Sequence, residues 1–385
     1  MTFAQLSVIG LVALLGPLLA YPARWHLPVI LGELAAGVVI GRTGIGYLDP
    51  TDPTLTFLAD IGFALVMFVA GSHVPVRDPE LRPALRGGLV RAVAVGLLAA
   101  LGGWLIAAVA GTPHAALYGV LLASSSAALV LPMVDSLRLS GPSMLGLLPQ
   151  VAVADAACIV ALPLAIDPRH ALRAAGGAAA VVGAAVVLFV VLRALERRGV
   201  QARVHQVSER RLLAVELRIQ LVVLFALAAL AVRTHVSIML AGFAFGLAVT
   251  AVGEPRRLAT QLFALTEGFF GPLFFVWLGA ELNLRELGDH PGMIVLGVAL
   301  GLGAALVHVA GGRVLGQPVP MGLLAAAQLG VPVAAATVGG QLGVLRAGEA
   351  SAIMLGALST IGLAVLGGVV AARERLPAAD VGGDG

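Results

Sequence analysis

Apolar residues in this chain fall into thirteen runs separated by short polar stretches. The runs are Phe3–Tyr21, Leu27–Gly41, Leu55–Val74, Leu89–Gly111, Ala116–Leu137, Ser143–Ile166, Gly176–Leu192, Ile219–Val232, Val236–Thr250, Leu262–Leu282, Met293–Leu315, Met321–Leu345 and Ala350–Ala372. A helix needs about 20 apolar residues to cross the hydrocarbon core of a bilayer, and most of the runs reach or approach that length. The second, eighth and ninth are short. The eighth is expected to extend back through Leu212–Arg218, whose charged ends can snorkel to the interface. The first run lacks a positive leading segment and a small-residue cleavage site, so it reads as a helix rather than a signal peptide. The pattern predicts an all-α polytopic membrane protein.

Composition sharpens this. Of 385 residues, 59% are apolar and 12% are charged, against about 25% charged in soluble domains. That excludes a soluble enzyme, a nucleic-acid binder and a disordered chain. Every one of the 24 basic residues is arginine. Six of them (Arg42, Arg169, Arg173, Arg233, Arg285 and Arg346) fall in even-numbered loops. The other eighteen flank odd-numbered loops or the tail, among them Arg77, Arg82, Arg86 and Arg91 in the third. Arginines accumulate on the cytoplasmic side, which predicts an inner-membrane protein with its N-terminus outside and its C-terminus in the cytoplasm. Tyr21, Trp25, Tyr47 and Tyr118 fall at run ends, where interfacial aromatics belong. The 49 glycines suit helices that approach backbone to backbone in lipid. Cys158 is the single cysteine, so no internal disulfide can form.

The runs also repeat. Leu31–Gly37 reads LGELAAG and Leu240–Gly246 reads LAGFAFG, 209 positions later. Met67–Gly71 reads MFVAG and Phe275–Gly279 reads FVWLG, 208 positions later. A shared offset maps spans one to six onto eight to thirteen, and a single connecting span inverts the second copy. The layout is one membrane domain over residues 1–375, with repeat one at 1–166, a connector helix at 176–192 and repeat two at 212–372. A short tail covers 376–385.

Inverted repeats place their substrate site at the midplane, on helices that break there. Span five carries Ser124, Ser125 and Ser126 near its middle, with Pro132 two turns on. The offset carries Ser124 to Pro332 in span twelve, beside Gly330. Asp155 stands at the centre of span six. A carboxylate at that depth costs at least about 2.5 kcal/mol, so it is read as functional, a group that takes either a proton or a cation. His308 is the only histidine deep inside a span. It has two readings, a proton-sensitive or charge partner of Asp155, or a packed hydrogen-bonded side chain. Glu33, Asp60 and Glu267 read as structural acids that hold helix ends or pair across the bundle. Gln150, five residues before Asp155, is a candidate for supporting the site from behind. No HExxH, GxSxG, Walker A loop or Cys/His cluster occurs, so neither an enzyme nor a cofactor is expected, nor any metal beyond a transported monovalent cation.

Five stretches carry a family likeness: LPVILGELAAGVVIG (Leu27–Gly41), ADIGFALVMFVAGSHV (Ala59–Val74), SSSAALVLPMVDSLRLSG (Ser124–Gly141), VAVADAACI (Val151–Ile159) and FFGPLFFVWLGAELN (Phe269–Asn283). In these the chain resembles the cation:proton antiporter family 2, whose members exchange Na+ or K+ for H+ through a thirteen-helix membrane domain. The resemblance implies a homodimer in which a core bundle moves against a dimerisation panel. It also implies that spans five and twelve unwind and cross beside the ion site. The chain departs from the family pattern at marked places. Where electrogenic members carry Asp-Asp, it has Ala154-Asp155. Many members have a lysine in span eleven, and here His308 is the candidate for that place. His73 stands where an acid often closes the third-span motif, and only a short tail, not a regulatory nucleotide-binding domain, is expected after Arg375.

The expectation is a secondary transporter exchanging Na+ or K+ for protons by alternating access. Asp155 would be the shared carrier, and Ser124–Ser126 with span-twelve carbonyls would complete the cation shell. Its partners would be H+, the monovalent cation, the bilayer and a second copy of the chain, with no nucleic acid. The alternative is a non-transporting membrane subunit or sensor derived from the same fold. With one carboxylate, the simplest cycle trades one proton for one cation and moves no net charge.

Overall fold

The computed structural model describes residues 1–21, 29–72, 81–137, 139, 142–166, 171–198, 214–234, 236–253 and 256–374. Trp25, His73, the loop after the seventh span and the tail lie outside them. Regular structure among these residues is entirely helical. In chain order the helices are α1 (Phe3–Ala13), α2 (Leu15–Ala20), α3 (Val29–Ile40), α4 (Pro53–Ser72), α5 (Leu81–Ala110), α6 (Ala115–Ala123), α7 (Ala127–Ser136), α8 (Pro142–Ile166) and α9 (Ala171–Arg197). There follow α10 (Val215–Arg233), α11 (Ile238–Val252), α12 (Arg256–Leu265), a π-helical turn at Thr266–Phe270 and α13 (Gly271–Glu281). The last are α14 (Leu284–Asp289), α15 (Pro291–Val314), α16 (Val319–Ala325), α17 (Gly330–Gln341) and α18 (Glu349–Glu374).

Ten helical stretches are long and apolar enough to cross a membrane, and three shorter apolar ones lie at Val29–Ile40, Ala115–Leu131 and Ile238–Val252. Together they match the thirteen runs one for one. The second and ninth spans are short, as the pattern indicates. The eighth reaches back to Val215 and has full length at 19 residues. The fifth counts as short because it is broken.

The chain folds as two compact units that interleave in sequence. One comprises Met1–Leu18, Val29–Pro79 and Ile159–Arg285, and the other Leu19–Pro28, Glu80–Cys158 and Glu286–Gly385. In the first unit, α3 packs on α13 and α4 packs on α11. A side chain at Gly37 would strike Val276 O, and one at Gly279 would strike Leu34 O. The same reciprocity joins Gly71 to Phe243 O and Gly246 to Phe68 O. Backbones this close admit only hydrogen at the contact, the usual solution for helices in lipid. These four glycines are the ones the repeat offset pairs, Gly37 with Gly246 and Gly71 with Gly279. The offset therefore converts the α3–α13 contact into the α11–α4 contact. Phe63 stacks on Phe274 and Phe68 lies against Phe245, each pair at 4.9 Å between ring centres.

The second unit packs α5 on α6 and α15, and α18 on α15 and α16. Here two spans break partway along their length, and Ser124, Ser125, Ser126 and Gln328 at the breaks are all buried. Tyr118 belongs to this interior rather than to a membrane interface. It is fully buried, and its hydroxyl donates to Glu349 at 2.6 Å. His114 Nδ1 lies 2.6 Å from the same carboxylate oxygen, and Arg346 N donates to the other at 2.8 Å.

Candidate functional site

The break in span five begins where three consecutive serines follow α6. Serine hydroxyls compete with the helical backbone for hydrogen bonds, which weakens a helix at such a run. Ser124 takes an extended conformation (φ −69°, ψ 149°) and ends α6. Ser126 O accepts from Leu129 N at 3.2 Å and Val130 N at 2.9 Å, which starts α7. The break in span twelve occupies 326–329, between α16 and α17. Pro332 lies one turn past it rather than within it. Proline fits the first turn of α17, where the missing N–H has no intrahelical acceptor.

The two breaks are bonded to each other. Ser125 Oγ donates to Ala325 O at 2.6 Å. Ser124 Oγ, with one proton to share, stands 2.5 Å from Gln328 Oε1 and 3.0 Å from Leu121 O. His308 on α15 donates from Nε2 to Ser124 O at 3.1 Å. Its Nδ1 is buried without a partner, so the arrangement uses the tautomer with the proton on Nε2. The imidazole thus holds an unwound carbonyl and pairs with no carboxylate among the described residues.

Asp155 on α8 is buried, and its Oδ2 accepts from Ala127 N at 2.9 Å. Ala127 opens α7, so the carboxylate caps the positive end of a half-helix, where negative charge is favoured. The C-terminal ends of α6 and α16 bring carbonyls to the same breaks, where cations are favoured. A carboxylate, hydroxyls, a carboxamide and carbonyls form a hard oxygen set suited to a small cation.

Of the residues singled out from sequence, the structure brings Asp155, Ser124, Ser125, Ser126 and His308 together in one unit. Gln150 on α8 is completely buried, and neither Nε2 nor Oε1 has a partner. Glu33 and Asp60 belong to the other unit, and neither makes an ion pair among the described residues. Glu267 is exposed on the π-helical turn. The acids of this unit that do form ion pairs include Glu281 at the end of α13, with Arg42 at 3.7 Å, and Asp52, with the N-terminal amine at 2.6 Å. Sequence reading missed Gln328. Its signal was an isolated amide in an apolar run, 204 positions after Ser124 rather than 208. It also placed Arg91 with loop residues, whereas Arg91 lies within α5.

Comparison with known proteins gives a consistent result. The family described as "Sodium/hydrogen exchanger, transmembrane" matches residues 10–372. Probable Na(+)/H(+) antiporter 3 of Methanocaldococcus jannaschii is 26% identical over 88% of each chain. Putative Na(+)/H(+) antiporter YjbQ of Bacillus subtilis is 23% identical over 91% of this chain and 60% of its own length. The Na(+)/H(+)-K(+) antiporter GerN of Bacillus cereus is 24% identical over 68% of this chain and 67% of its own. Among solved structures, two of the sodium proton antiporter MjNhaP1 from Methanocaldococcus jannaschii share this fold. One superposes with a TM-score of 0.67 at 20% identity over 99% of this chain and 100% of that one. The other, at pH 8, gives 0.63 at 19% identity over 95% of each.

Proposed function

Because the chain belongs to the transmembrane sodium/hydrogen exchanger family, we propose that it exchanges monovalent cations for protons across the membrane, with Asp155 as the shared carrier. The observation that carries this is the placement of Asp155 Oδ2 on Ala127 N, at the start of the half-helix that leaves the serine break. One carboxylate at one half-helix end binds a proton or a cation but not both, and that exclusion couples the two flows. Ser124, Ser125 and Gln328 supply the neighbouring oxygens, and His308 keeps the unwound segment in place. Ala154 offers no second acid, so the cycle trades one proton for one cation and is electroneutral. A non-transporting subunit is the less favoured reading, since the carboxylate and both breaks are retained.

Na+ and K+ are both candidates, because the relatives are named for Na+ and, in one case, also for K+. The arginine asymmetry supports an outside N-terminus, and the family resemblance supports a homodimer. In liposomes under an imposed pH gradient, the wild type should exchange at least one of Na+, K+ and Li+ for protons, and Asp155→Asn should not. A valinomycin-set potential should leave Na+/H+ exchange unchanged. Strong dependence on potential that disappears in His308→Gln would assign a second proton to that histidine. A cysteine in place of Arg313 should be labelled only from the cytoplasmic side, and one in place of Arg285 only from outside.

A further inference from the structure

The inward face of α5 carries an arginine. Gly88 and Val95 on that face are buried, while Leu89, Val90 and Val93 on the opposite face are exposed. A side chain at Gly88 would meet Pro149 and the backbone of Gln150, so α5 lies directly against α8 there. Val95 in turn lies against Gly311 of α15. Arg91, between these two contacts, shares their face. Its guanidinium fills the space a side chain at Gly146 would take, with Nη1 2.7 Å from that position. Among the described residues its one hydrogen bond is a long one to Gly146 O, 3.4 Å, and its buried Nε has no partner. No carboxylate among the described residues pairs with it.

Gln150 stands one helical turn beyond Gly146 on the same stripe of α8. Helical side chains lean toward the N-terminus, so the Gln150 carboxamide leans over Gly146 and its guanidinium. Asp155 follows five residues later. The guanidinium that α5 lays on Gly146, the buried Gln150 amide and the proposed ion-carrying carboxylate therefore follow one another along α8.

We propose that Arg91 is the internal positive charge that sets how tightly the Asp155 site holds a cation. The inference rests on the reading of Asp155 as the carrier. Nine residues of helix rise separate Gly146 from Asp155, about 13 Å. Across that distance, at an effective dielectric of about 20, one fixed charge changes cation affinity by up to about tenfold. Asp155 is buried and Arg91 partly so, which lessens the screening of this interaction by salt. The field acts equally on a bound proton and a bound monovalent cation. Competition between them in acid is therefore unchanged, and the effect emerges at alkaline pH, where protons do not compete. Weaker holding speeds release, so the charge favours turnover over affinity.

The test is Na+-dependent proton flux in liposomes at alkaline pH. Arg91→Gln should lower the KM for Na+ by up to about tenfold and lower kcat with it, whereas Arg91→Lys should keep both near wild type. Loss of a purely structural contact would instead reduce kcat at constant KM, and Lys would not restore it. Gln150→Lys moves a positive charge nearer to Asp155 and should raise KM above wild type, which keeps the proposal testable if Arg91→Gln does not fold. An unchanged KM in Arg91→Gln, or in Gln150→Lys, overturns the proposal. If that occurs while Asp155→Asn is inactive, the carrier assignment stands. If Asp155→Asn still exchanges, the carrier assignment fails first.

Discussion

The two units solve the problem of packing helices in lipid in opposite ways. In the unit of α3, α4, α11 and α13, glycines set backbone against backbone, and aromatic rings fill the remaining space. In the unit of the two breaks, helices end in mid-membrane and polar groups stand without partners. Buried side-chain atoms of Arg91, Thr112, Gln150, His308 and Gln317, all in this second unit, have no hydrogen bond among the described residues. Buried unsatisfied groups cost about 1–3 kcal/mol each unless water or an ion meets them. The first unit is therefore organised for stability. The second carries polar strain of the kind an ion site requires.

Substitutions can break that comparison. The largest loss should come from the glycine seams. Gly279→Leu drives a side chain into Leu34 O and should cost about 3 kcal/mol or more, read as a collapse of the thermal transition in detergent. Gly183→Leu, where no atom lies within 4 Å, should cost little. A loss at Gly183 equal to that at Gly279 would show that the seam is not what matters. Next in size is Glu349→Ala in the second unit. It strands the Tyr118 hydroxyl, the His114 ring and the Arg346 amide, and should cost about 2–3 kcal/mol. Gln150→Leu should act in the opposite direction. It removes a buried amide that nothing satisfies, so stability should rise by about 1–2 kcal/mol while exchange slows. A destabilised Gln150→Leu would mean that the amide is satisfied in the membrane-embedded protein.

The smallest effect lies outside the membrane spans. Thr51 donates to Asp49 Oδ1 from its hydroxyl at 2.6 Å and its backbone at 2.9 Å, which holds the Asp49 carboxyl below the usual carboxylate range. Its contribution to stability is present above that range and is lost as pH falls through the lowered value. Asp49→Asn should slightly lower the neutral plateau of a stability–pH profile and flatten its acid limb, so that the two proteins converge in acid.

Much of this contrast was legible in the sequence because lipid makes run length a physical requirement. Thirteen runs give thirteen spans, and a carboxylate at the centre of span six stands out because burial there is costly. The break at Ser124–Ser126 could be read because consecutive hydroxyls compete with helical hydrogen bonds. The partner break could not be placed from the offset alone. Proline marks where α17 starts, and Gln328, four residues earlier, crosses to Ser124. Arg91 was misplaced because an arginine near the end of an apolar run reads as a loop flank, and only the packing of Gly88 and Val95 turns it inward. Tyr118 reads as an interfacial aromatic until Glu349, 231 residues away, is brought beside it. Such pairings depend on tertiary contacts, which run length and residue spacing do not encode.

The central claim is that one proton and one cation compete for Asp155. The most direct measurement is proton release from purified protein in weakly buffered detergent solution when Na+ is added, with K+ tested in parallel. The account predicts release approaching one proton per chain at pH values where the empty site is protonated, saturating with cation concentration and absent in Asp155→Asn. Release of the same size from Asp155→Asn would contradict it, as would cation binding by the wild type that displaces no proton at any pH.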